Sequence, residues 1–151
     1  MYRIKMKIVL SIFLFAFSII LSAQEVVEEK INGDTIVFDY QLTELKYTAW
    51  LKIKQNWTRK DFQEVIKENK IKMGCGGISN NECESLYVDV ILKINEKGKL
   101  EYYKLLNGKK CGESITKPFE IRMMRNFFKI EFPEELRNLK LQTRLGSALK
   151  C

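Results

Sequence analysis

Between Glu84 and Leu106 the chain reads as a two-stranded hairpin, and that hairpin constrains the rest of the fold. Leu86, Val88, Val90, Leu92 and Ile94 alternate with Tyr87, Asp89, Ile91 and Lys93, a period of two that gives a strand one dry face. Asn95-Glu96-Lys97-Gly98 supplies a short polar loop in which Gly98 is free to take positive φ. The chain returns through 99–107, with Leu100, Tyr102 and Leu106 expected on one face. A helix signal precedes the hairpin, and a helix and then a strand follow it. The implied class is α+β.

The N-terminus bounds the compartment. Arg3, Lys5 and Lys7 precede an apolar run over Ile8–Leu21, interrupted by Ser11 and Ser18, and Leu21-Ser22-Ala23 offers a small residue before Gln24. The run matches a signal-peptide core and falls short of the roughly 20 residues that span a bilayer. Residues 1–23 are therefore expected to be a cleaved secretory signal, a retained anchor being the alternative. Without them 128 residues remain and the formal charge drops from +7 to +4. Much of the basicity is then targeting signal, and the remainder suits one domain. The expected location is periplasmic or secreted.

Cys75, Cys83, Cys111 and Cys151 form an even set in an exported chain, which favours two disulfides. A four-thiolate zinc site lacks its CxxC spacing, and buried free thiols are the remaining alternative. Upstream, Asn32-Gly33 between 24–31 and 34–40 predicts an N-terminal β-hairpin. Residues 42–55 suit helix or strand, with helix favoured in the first half. Thr58 and Asp61 read as a helix start, with Phe62, Val65 and Ile66 as its apolar stripe. Gly74, Gly76 and Gly77 read as a connection rather than a phosphate cradle, which needs a strand before and a helix after. Pro118 opens a helix whose Phe119, Met123, Phe127 and Ile130 line a core face. Pro133 stops it. Leu139, Leu141, Thr143 and Leu145 then alternate with polar residues in a last strand that Gly146 ends.

The order helix, hairpin, helix, strand over about 58–151 resembles the C-terminal domain of TonB, in its Bacteroidetes form. The resemblance rests on Phe62-Gln63-Glu64-Val65-Ile66 with Glu68-Asn69, on the strand Val88–Ile94 followed by Glu96-Lys97-Gly98-Lys99-Leu100, and on Met123-Met124 through Phe132-Pro133 to Leu139–Leu145. Lys72-Met73 stands where the family has Tyr-Pro, and Ser85-Leu86 where it has a glycine. Only Pro118 and Pro133 are present, so TonB's semi-rigid proline spacer is missing. The resemblance implies a three-stranded antiparallel sheet in the order 2-1-3, packed by helices. The chain is then expected to divide into the signal over 1–23, an N-terminal hairpin and ambiguous helix or strand extension over 24–57 that the resemblance does not cover, and the TonB-C-like part over 58–151. That strand order brings Cys83, Cys111 and Cys151 to one rim. Connectivity stays open among three pairings, with Cys75–Cys83 and Cys111–Cys151 preferred.

No histidine is present, which removes the commonest general base and metal ligand. Glu28-Glu29 and Glu134-Glu135 read as solvated pairs, and no cysteine sits in a redox CxxC. No enzyme activity, cofactor or metal is expected. Lysines and arginines from Lys52 to Lys72 around Trp50 and Trp57 read as a solvated helix face rather than a nucleic-acid patch. By resemblance, a protein or peptide partner would add as a strand along Asn138, Leu139, Lys140, Leu141, Gln142, Thr143, Arg144 and Leu145, taken as the sheet edge. A membrane would be met only through the signal or an associated outer-membrane protein. The alternatives are a disulfide-stapled secreted inhibitor or immunity-type protein, and a small structural component of an outer-membrane assembly.

Overall fold

The computed structural model describes residues 35–151; the signal-like segment and the Asn32-Gly33 turn lie outside them. Ile36–Cys151 is one compact unit. It is α+β, with β1 (Ile36–Phe38), α1 (Glu44–Trp57), α2 (Gln63–Glu68), β2 (Ser85–Ile94), β3 (Leu100–Lys110), β4 (Glu113–Ser114), α3 (Lys117–Met124) and β5 (Lys140–Ala148). The sheet order is β1-β5-β2-β3-β4. Among the described residues no helix is long and apolar enough to cross a membrane.

The alternation in β2 becomes the core. Leu86, Val88, Val90, Leu92 and Ile94 are completely buried, each contributing roughly 1.5–3 kcal/mol. Trp50, Trp57, Phe62 and Val65 from the first helical segment, and Met123, Met124, Phe127, Phe132 and Leu136 from the second, complete this core. The Trp57 ring lies 5.4 Å from both Phe62 and Phe127. Trp50 and Trp57 are thus core residues, closed to any stacking ligand from outside.

The sheet is mixed and five-stranded, not the three-stranded antiparallel layer expected. Its central trio β5-β2-β3 is antiparallel. Two short strands extend it: β4 pairs Lys109–Lys110 through Glu113–Ser114, and β1 lies parallel to β5 with Ile36, Val37 and Phe38 beside Lys140, Leu141 and Gln142. The strand expected within 34–40 is there as Ile36–Phe38, but its described partner is β5, about a hundred residues away, which local alternation does not reveal.

Local expectations shift for identifiable reasons. Thr58 does not start a helix: α1 passes into α2 through a π-turn over Thr58–Phe62, and the Thr58 hydroxyl donates back to the Lys54 carbonyl at 2.8 Å. No break therefore falls between 57 and 58. Register shifts after Asp89 and after Lys93 leave Leu106 and Glu101 as extra residues in β3. Bulges of this kind reset the alternation, so Leu100 is buried while Tyr102 and Leu106 are exposed. The helix opened by Pro118 ends at Met124, well before Pro133. Gly146 does not end β5 but lies within it, at φ +106°.

A Cβ on Gly146 would collide with the Leu86 carbonyl and lie 2.9 Å from the Tyr87 Cα. Backbone strain and collision together predict that Gly146→Ala costs about 2 kcal/mol or more, measured as a lowered urea midpoint of the oxidised protein.

Candidate functional site

β5 is not the outermost strand, which corrects the expected edge over Asn138–Leu145. Asn138 takes a left-handed conformation at φ 56° and precedes the strand. The Leu139 carbonyl accepts from Ile94 N–H at 2.9 Å. Leu139, Leu141, Thr143 and Leu145 are buried, while Lys140, Gln142 and Arg144 lie on the opposite face. β1 pairs with Lys140–Gln142 and closes that part of the edge.

The directions of the backbone groups follow from two hydrogen bonds. Cys111 N–H donates to the Ser85 carbonyl at 2.7 Å, so Ser85 faces β3, and Ile94 N–H donates to Leu139, so Ile94 faces β5. Alternation then turns Val88, Val90 and Leu92 toward β5 and Tyr87, Asp89, Ile91 and Lys93 toward β3. In an antiparallel ladder, opposite residues either exchange bonds or both point away. The backbone groups of Gln142, Arg144, Gly146 and Ala148 therefore point away from β2, as do those of Tyr103, Leu105 and Gly108 on the other flank. Gln142 meets β1. Arg144, Gly146 and Ala148 lie beyond β1's register and have no strand partner among the described residues.

The second face of the sheet carries one well-made pair. Arg144 donates to both Asp89 carboxylate oxygens, at 2.7 and 2.9 Å, and its guanidinium lies 4.0 Å above the Tyr87 ring. Asp89 raises the Arg144 pKa further above its already high value. At the end of β1, Asp39 accepts from Thr143 Oγ1 at 2.8 Å and pairs with Lys54 at 3.5 Å. Between these groups lies an open groove of about 450 Å³, lined by Phe38, Asp39, Gln142, Thr143, the Asp89–Arg144 pair, Leu106 and Asn107.

No family model matches this chain, and no curated protein or solved structure matches it.

All four cysteines are paired, but as Cys75–Cys151 and Cys83–Cys111, with Cα separations of 5.4 and 4.4 Å. This overturns the preferred pairing. Leu86 lies opposite Lys110 in the hairpin, which places Cys83 and Cys111 at its open end. The 75–83 loop is closed by hydrogen bonds instead. Gly74 N–H donates to the Cys83 carbonyl and Cys83 N–H to that of Lys72, at 3.2 and 2.8 Å. The glycines cradle an anion from the chain itself: the Glu82 carboxylate accepts from Gly76 N–H at 2.8 Å and pairs with Lys72 at 2.6 Å. Lys72, then Gly76, hold its pKa below the ordinary carboxylate value. Glu134 and Glu135 lie in a short 3-10 turn, and among the described residues no group of three His, Cys, Asp or Glu side chains could hold a metal.

Reasoning from sequence overlooked Asp39 and the Tyr103–Glu120 contact. Burial, then the neighbouring Glu120 carboxylate, pushes the Tyr103 phenol up to about 12. Glu120 is buried and paired with Lys117 at 2.5 Å. Only the bulged register brings Tyr103 to that face, so no period in the sequence could reveal it.

Two predictions follow from these contacts. Non-reducing peptide mapping will recover Cys75–Cys151 and Cys83–Cys111, and by loop length their reduction removes roughly 4.5 and 3.5 kcal/mol from stability. Tyr103 contributes stability that is complete below the ordinary phenol value of about 10 and is lost as pH rises through about 12. Ultraviolet titration will show one late-ionising tyrosine, absent from Tyr103→Phe.

Proposed function

We propose that this chain is an exported, non-enzymatic protein-interaction module that binds an extended polypeptide by adding it to an open edge of its sheet. The observation that carries this reading is the sheet's two flanks. Alternate backbone groups of β3 before β4, and of β5 beyond β1, point away from the sheet without a strand partner among the described residues. Unpaired donors and acceptors of this kind are a template for strand addition.

Several features agree with it. Two disulfides suit an oxidising compartment, as does the signal-like N-terminus. The chain has no histidine, and every cysteine is bonded, which leaves few groups for acid–base or nucleophilic chemistry. The TonB-C-like order of helix, hairpin, helix and strand is part of the proposal. Its edge is not: docking along Lys140–Gln142 would have to displace β1.

Selection from a displayed library of random peptides against the oxidised protein tests the reading. Enriched peptides should slow amide exchange along an edge, at Tyr103 and Leu105 or at Arg144, Gly146 and Ala148. Failure to enrich any peptide, or protection confined to helices, would overturn it.

A further inference from the structure

We infer that the docking edge is β3, and that its ligand is an extended segment of another protein in which acidic side chains alternate with apolar ones. This rests on the strand-addition reading and goes further by naming the edge and the ligand chemistry.

Two edges compete. On β5 the open stretch keeps its register with β2 but runs through Gly146, whose φ of +106° lies outside the extended region that a strand-adding ligand would have to match. Its one exposed cation, Arg144, already holds Asp89 with two hydrogen bonds. On β3 the bulge residues Glu101 and Leu106 bracket Tyr102–Leu105, which keeps an unbroken register against β2. Tyr103 and Leu105 present their N–H and C=O groups outward there. The site has a built end: Ile115 N–H donates to the Gly108 carbonyl at 3.3 Å, and β4 covers Lys109 and Lys110.

The side chains beside that edge define the ligand. On the open face Lys104 is exposed between Tyr102 and Leu106, which are 42% and 43% exposed. Lys104 and Lys109 form no ion pair among the described residues. On the helix face the Tyr103 ring meets Phe128, itself 48% exposed, at 6.0 Å. Paired residues in an antiparallel ladder point to the same face. A docked strand therefore places one set of side chains against Lys104 and the other against Tyr103 and Phe128. Carboxylates match the first set by charge complementarity, and aliphatic or aromatic groups match the second. So short a regular edge gives modest affinity and a fast off-rate.

The test uses the disulfide-intact protein and two short synthetic peptides, one alternating glutamate with isoleucine and one alternating lysine with isoleucine. The glutamate peptide should bind and slow exchange at Tyr103 and Leu105, while the lysine peptide binds at least about five-fold more weakly. Lys104→Glu should reverse that preference. Leu105→Pro removes an outward N–H and should abolish binding, whereas Ala148→Pro, on the other edge, should retain it. Should Leu105→Pro fold poorly, the Lys104→Glu reversal and the exchange map decide. Equal binding of both peptides, or binding of neither, overturns the inference. So does concentration-dependent protection of β3 without peptide, which would mean a second copy occupies the edge. Protection at Arg144, Gly146 and Ala148 overturns it while leaving strand addition itself intact.

Discussion

The described fold is hung on one central strand whose inner face is completely buried. β2 pairs along its length with β5 on one side and β3 on the other, and its five core side chains are sealed by the helices. Backbone polar groups in such a place must be paired within the sheet. Moving β2 by one residue would turn Asp89 and Lys93 into the core and the leucines and valines out. The register of both neighbours, and with it the direction of every edge group, is therefore set by this strand.

The parts legible in the sequence are those with local or strictly periodic causes. The β2 alternation, the Asn95–Gly98 turn and the polar face of β5 all fall into this class. What escaped depends on distant partners. β1 is three residues long and its place is decided by Lys140–Gln142. Thr58 has the chemistry of a cap, yet the packing of Trp57 and Phe62 carries the helix through it. The bulges at Glu101 and Leu106 exchange the faces of Tyr102 and Tyr103, and no pattern of apolar residues announces them. The disulfides follow the sheet's closure at the hairpin end rather than nearness along the chain.

The candidate site was legible only in outline. Outward positions on alternating strands suggested Lys140, Gln142 and Arg144 as contact residues, and they do lie on the second face. The strand that carries them gained a neighbour, so the freer flank is the opposite one. Tyr103 matters there because it belongs to both surfaces: its backbone faces the open edge while its ring closes over Phe128 and Glu120.

The pairing of β1 with β5 also sets an order of events. The hairpin joins residues close in sequence, whereas the Thr143–Asp39 hydrogen bond spans 104 positions. Contacts between distant segments must overcome a larger loop entropy before they are rewarded. Because synthesis proceeds from the N-terminus, the earliest strand emerges long before its template exists. It has no described strand to settle on until the final one is in place, so the margin next to Asp39 is held by contacts that span nearly the whole described chain.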